Sequence, residues 1–393
     1  MDLLIAVLRM KRPILYLVSI LLIIIFLISG TAPLYTQSEE PLYVMFVWHF
    51  HQPWYFGEND SYMILPWVRL HSVGNYFKMG YILSKYPDIH VVFTFSGSLL
   101  VQIEAYLNGS RDLRQLLSEK IASGERLSAE DIYDVVKIPG GFFDINWNRI
   151  VDQVPRYRQL RDYTQQILSK YKYLPDTEMM RAVASSYSEQ DIIDLAVLFN
   201  LFWIDPEVLR DLYPDTYKLR QEALTNPNIH FTRQQLREIL NIHLDIMKRI
   251  IPLYRSLVEK GSAELIPVPY SHPLSPIIVD FGWGTDLYIH SIKSIDLFKK
   301  YFNYTPAGVW PAEQAVNEYV IKIFSYNFTW SISDQAVLGK SDVDANNPQN
   351  LYSLWFIDFG EKRFYMFFRD TTLSNLISFE YSRYDPKQAV NDL

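Results

Sequence analysis

The stretch AGVWPAEQAVNEYVIKIFSYNFTWSI, residues 307–332, decides the fold class. A short apolar run at 307–310 leads into an amphipathic segment of helix length, and a second apolar run follows at 328–332. Strand, helix and strand in that order predict two parallel strands joined by a crossover helix. Working outward, apolar runs rich in Val, Ile and aromatics recur at 42–48, 89–95, 264–268, 354–359 and 364–368, and each is read as a strand. The reading is therefore a β/α architecture on a mainly parallel sheet.

Between about residues 99 and 261 the strands give way to capped helices. Ser188 with Asp191 and Thr232 with Gln235 have the spacing of capping boxes, and Gly261 closes the second of these helices. A helical insertion is expected there, packed beside the sheet as a lid or subdomain. Near the C-terminus, Asp385-Pro386 pairs a cap residue with a first helical position, and only AVNDL remains after Lys387 and Gln388. A helix cut short is expected, in a catalytic domain spanning 41–393.

The 393 residues include 37 Lys and Arg against 44 Asp and Glu, a net charge of −7 without a basic cluster, which argues against a nucleic-acid partner. There is no cysteine, which removes disulfides, thiolate metal sites and cysteine nucleophiles. Aromatics are plentiful, with 28 Tyr, 23 Phe and 9 Trp, and ring faces of this kind both fill cores and stack on sugars. At the N-terminus, Arg9, Lys11 and Arg12 precede PILYLVSILLIIIFLISG, residues 13–30. That run has the length and flanking charge of a signal peptide or signal anchor within residues 1–35, so export with membrane attachment is expected. Asn59, Asn108, Asn303 and Asn327 begin glycosylation sequons compatible with export.

Polar residues gather where the strand runs end. His49 and His51 lie two apart on an extended segment, so their rings share a side; a structural pair, hydroxyl contacts and metal ligation all remain open. His272 is held between prolines in PYSHP. Glu313 stands where the 307–310 run meets the following helix, either as a site carboxylate or as a first-turn glutamate complementing the helix dipole. Asp334 and the pair Arg369-Asp370 close two further runs. Glycosidic cleavage needs two carboxyls, one to attack the sugar and one to protonate the leaving oxygen.

HFHQPW, PYSHP, GVWPAEQAV, SDQAVLGK and FFRDTTLSNLISFEYS, with SEQDIIDLAVLFNLFWID and GGFFD in the helical block, together resemble the ordered signature regions of glycoside hydrolase family 57. The likeness spans 41–393 and is closest to the amylopullulanase and α-amylase branch, found in thermophilic archaea and bacteria. It implies an incomplete (β/α)7 barrel followed by a helical part, retaining action on α-glucans, and no cofactor. By motif, Glu313 matches the nucleophile. His49, His51, Trp54 and Trp310 match residues around the reacting sugar, and His272 and Asp334 match further substrate contacts. The general acid departs from the pattern: Thr372 and Asn375 stand where relatives have aspartates, which leaves Asp370 as the nearest carboxyl. The alternatives are an enzyme with a displaced acid, a glucan-binding protein with a degenerate site, and a metal-dependent hydrolase using His49, His51, His272 and a carboxylate.

Overall fold

Among the described residues seven strands form two sheets. Residues 43–57 and 62–393 are described by the computed structural model. The apolar run 13–30 and the sequon at Asn59 fall outside those residues, and among the described residues no helix is long and apolar enough to cross a membrane. Strands β1 (Val47–Phe50), β2 (Val91–Ser96) and β3 (Ala263–Val268) are parallel in the order β1-β2-β3. Strands β4 (Gly308–Val309), β5 (Trp330–Asp334), β6 (Trp355–Asp358) and β7 (Arg363–Arg369) pair in the order β4-β5-β7-β6, with only β6 antiparallel.

The two sheets meet between β3 and β4. Trp310 N–H donates to Pro267 C=O at 2.9 Å. Beneath this bond, Trp330 lies flat over Gly308, where an added Cβ would sit 2.3 Å from its ring. Its indole N–H then donates to Glu264 Oε1 on β3 at 3.1 Å. Among the described residues the strands do not close, and the architecture is the expected incomplete barrel.

All seven apolar runs become strands, but the first is displaced. β1 begins at Val47, because its partner β2 fixes the register from Val47↔Val92 to Phe50↔Phe95. His49 therefore lies inside the strand rather than after it.

The helical block packs on one face of the β1–β3 sheet and shares its hydrophobic core. Both capping boxes form, opening helices Glu189–Trp203 and Arg233–Glu259, and Gly261 takes the left-handed conformation, φ 76°, just beyond the second. From that long helix Tyr254 drives its ring among Phe50, Phe93 and Phe95, and donates its hydroxyl to Tyr76 C=O at 2.8 Å. A buried polar hub ties the helices together: Arg69 pairs with Asp112 at 2.6 Å and donates to Asn200 Oδ1 and His243 Nδ1, both at 2.9 Å. Each member has its partners, which is the condition for such groups to be buried at all. At the C-terminus Asp385 caps helix Pro386–Asp392.

Candidate active site

Parallel strands point their C-terminal ends the same way, and His49, His51, His272, Trp310 and Glu313 come together there, while Asp334 and Asp370 make their contacts within the second sheet and its loops. From the first sheet come two imidazoles, each held by a hydroxyl of the neighbouring strand. His49 Nδ1 lies 2.8 Å from Thr94 Oγ1, and His51 Nδ1 lies 2.9 Å from Ser96 Oγ. The two rings are 6.0 Å apart and are bridged by a third, so they are not a mutually bonded pair. His272, from the turn after β3, stacks on His51 at 3.8 Å and places Nε2 3.2 Å from His49 Nε2. Trp310 stacks on the other side of His49, at 5.1 Å and 22°.

Glu313 completes this group, with a carboxyl oxygen 3.9 Å from His272 Nε2 and a side chain that is 72% exposed. The helix expected to begin here does not. Glu313 and Gln314 take left-handed φ values of 54° and 55°, tied down by Gln314 N–H to Pro311 C=O at 2.9 Å and by Ser333 Oγ to Gln314 C=O at 2.7 Å. The α-helix starts only at Glu318, because Asn317 supplies the cap that accepts from Val320 N–H. Glu313 is thus not a first-turn glutamate of that helix. His272 is also left-handed, φ 59°. Non-glycine residues in that region cost about 1–3 kcal/mol each and gather where function demands a particular side-chain direction.

Surrounding protein removes water from the imidazoles although the His49 edge faces the cleft. Burial, then the neighbouring His272 and His51, push His49 down to about 3. Burial, then His272, pushes His51 down to about 4. Burial also lowers His272, with Glu313 opposing it. At neutral pH the three rings are uncharged hydrogen-bonding groups. Their lone pairs do not converge: His49 and His272 point Nε2 at each other and His51 lies flat on His272. Among the described residues no group of His, Asp and Glu has the arrangement to hold a metal ion, so this donor set does not fit the metal-dependent alternative.

A cavity of about 450 Å³ opens beside the imidazoles, lined by His51, Pro53, Trp54, Ser98, Tyr270 and His272 among others. Trp54 is half exposed and presents its ring to this space.

The second sheet contributes carboxylates with fixed partners. Asp334 Oδ1 accepts from Ala336 N–H at 2.8 Å, and Oδ2 accepts from Arg369 Nε at 2.7 Å and Thr371 Oγ1 at 3.2 Å. Burial raises its pKa, but these donors outweigh burial and hold the carboxyl below its ordinary value. Asp334 is therefore an anchored anion and not a proton donor. Asp370 caps helix Thr371–Asn375 through Leu373 N–H at 2.8 Å, while its other oxygen accepts from Tyr352 OH at 2.7 Å. Both oxygens are engaged in local structure. Thr372 and Asn375 are exposed on that short helix.

The hydroxyls of Thr94, Ser96 and Ser98 and the Tyr270 ring are site residues that motif reading passed over. A signal existed for the first two: in VVFTFS they sit two apart at the end of a strand, the same period as the histidines they hold.

The ends of the parallel strands thus carry a left-handed glutamate, three imidazoles and the Trp310 indole in one group. The sequence profile of glycosyl hydrolase family 57 matches residues 45–393, and the chain belongs to that family. No curated protein matches the chain. Among solved structures it is similar to the α-amylase AmyC from Thermotoga maritima, with 12% identity, a TM-score of 0.44, and coverage of 85% of this chain and 46% of that one. It is also similar to the 4-α-glucanotransferase from Thermococcus litoralis, with 13% identity, a TM-score of 0.41, and coverage of 88% and 30%. The branching enzyme from Pyrococcus horikoshii gives 14% identity, a TM-score of 0.40, and coverage of 84% and 47%. The chain spans less than half the length of each of these three proteins.

Proposed function

We propose that the protein is an exported, retaining α-glucan-active glycoside hydrolase of the amylopullulanase and α-amylase type, with Glu313 as nucleophile. The observation that carries this reading is the placement of Glu313: an exposed carboxyl held in a left-handed turn, 3.9 Å from His272. The turn holds it exposed beside His272, and neutral imidazoles there offer hydrogen bonds to sugar hydroxyls without competing as counter-ions. In a retaining mechanism the carboxylate attacks the anomeric carbon, the glycosidic C–O bond breaks, and the leaving oxygen takes a proton; water then returns the sugar to solution. The basic residues before the apolar run 13–30 support an extracellular or cell-surface location, through a signal peptide or an anchor.

An aryl α-maltoside with a good leaving group tests the nucleophile, since departure then needs no proton. Mass spectrometry of the quenched protein is expected to show one glycosyl adduct on the Glu313 peptide, absent from Glu313→Gln. An adduct retained in that variant moves the nucleophile elsewhere.

A second reading, a glucan-binding protein with a degenerate site, is favoured by the state of the acid. Thr372 and Asn375 cannot protonate a leaving group as a carboxylic acid does, and Asp370 spends both oxygens on a helix cap and on Tyr352. Binding of maltooligosaccharide with no turnover of either starch or the aryl glycoside supports that reading.

A further inference from the structure

His51 is the end of a hydrogen-bond chain whose direction is fixed at its far end. Ser98 Oγ lies 2.6 Å from Gln52 C=O, and a carbonyl only accepts, so the single Ser98 proton points there. Ser98 Oγ is also 3.1 Å from Ser96 Oγ. With its own proton committed, Ser98 must accept in that contact, which commits the Ser96 proton to Ser98. Ser96 Oγ is then an acceptor toward everything else, receiving Leu99 N–H at 3.3 Å and leaving its remaining contact, at 2.9 Å, to His51 Nδ1. The donor in that contact is Nδ1–H. A neutral imidazole carries one ring proton, so Nε2 bears a lone pair, and among the described residues it has no protein partner while the ring lines the cavity with Trp54 and Tyr270.

We infer that Ser98, acting through Ser96, is a positioning residue that sets the tautomer of His51, and that the cavity consequently takes a sugar that donates a hydroxyl proton to His51 Nε2 and rejects an acceptor-only group in the same place. The ligand half of this inference rests on the α-glucan reading above; the tautomer does not. The relay gives polarity to a contact that sequence motifs mark only as a histidine. A hydroxyl can donate or accept, but fluorine or an ether oxygen can only accept, and set against a bare Nε2 it leaves two lone pairs facing each other. Sites built to pair a substrate hydroxyl reject analogues that lack it far more strongly than apolar pockets reject a missing methylene.

The test uses the whole protein labelled with ring-¹⁵N histidine, with His51 assigned from the resonances lost in His51→Asn. The wild type is expected to show a protonated Nδ1 and an unprotonated Nε2 at His51. In Ser98→Ala the Ser96 proton is free to turn toward His51, and the ring proton is expected to move to Nε2; Ser98→Thr restores the original state. Binding is then measured with methyl α-maltosides carrying a single fluorine in place of each hydroxyl in turn. One position is expected to lose at least about tenfold affinity in the wild type, and to lose much less in Ser98→Ala. A protonated Nε2 in the wild type, or a tautomer unchanged by Ser98→Ala, overturns the relay. A correct tautomer with maltosides that bind but do not distinguish the two proteins overturns the specificity assignment. A correct tautomer with no maltoside bound at all sinks the α-glucan reading, and the ligand half with it, while the relay stands.

Discussion

The two halves of the rim solve the same problem differently. On the β1–β3 side each imidazole is held by a hydroxyl on the adjacent strand, through a sheet register that also fixes the backbone. On the β4–β7 side Asp334 and Asp370 each cap the short helix that follows while also accepting from Arg369 and Tyr352 respectively, and Glu313 sits in a left-handed turn tied to Ser333. The first half is rigid because long-range pairing makes it so. The second adds helix caps and a left-handed turn to its cross-strand contacts, and those caps lie within single loops.

The largest effect expected from breaking this contrast is at Glu313. Glu313→Gln keeps shape and hydrogen bonding but removes the attacking charge, and turnover of an aryl α-maltoside is expected to fall at least about a thousandfold with maltooligosaccharide binding retained. Steady-state kinetics beside calorimetric binding checks this; equal loss of both shifts the role to substrate binding. Next is the loop itself. Asn375→Asp is nearly isosteric and supplies a carboxyl, so starch hydrolysis is expected to rise at least about tenfold. If Asp370 already serves as acid, Asn375→Asp changes little and Asp370→Asn abolishes the activity present.

The imidazole half has a signature in stability instead. Folded His49 and His51 sit at about 3 and about 4, against 6.5 in the unfolded chain. As pH falls below about 6.5 the unfolded chain takes up protons that the folded one refuses. Stability from these rings is complete above that pH and declines down to about pH 4 for His51 and about pH 3 for His49. Melting temperatures measured from pH 7 to pH 4 are expected to show this slope, and a His49→Asn, His51→Asn double variant to flatten it. The smallest effect belongs to the seam. Burial raises the Glu264 pKa, with the Trp330 indole opposing, so its charged form is a cost that grows as pH rises above the carboxylate range. Glu264→Gln keeps the acceptor for Trp330 and is expected to raise the melting point by about 2 °C at pH 7 and not at pH 4.

The seven strands and the capped helices are legible in sequence because apolar period, caps and turns are local signals. Glu313, His49, His51 and His272 are legible because residues at parallel strand ends share a rim. What stays hidden depends on register or on distance along the chain. The β1 boundary is set by β2, and the hub joining Arg69 to residues 131 and 174 positions away has no local mark. The turn at Glu313 hides for another reason: a left-handed glutamate is unfavourable by itself, so helix propensity wins the reading where tertiary structure wins in the fold.

Gly308 and Trp330 have a thermal consequence. β4 is two residues long, and the Glu313 turn follows it after Trp310 and Pro311. The segment is joined to the imidazole half by one main-chain bond, by the Trp330 indole on Glu264, and by a buried apolar cluster in which Trp310, Ala312 and Ile332 pack with Val92, Ile266 and Val268. A strand of two residues has few main-chain bonds of its own, so its place depends on this packing and on the bare Cα that lets the Trp330 ring approach. Under the proposed nucleophile role of Glu313, disturbing this packing separates it from the imidazoles, and catalytic inactivation on heating is expected before the loss of helical circular dichroism. A larger side chain at 308 lowers the temperature of inactivation further than that of unfolding.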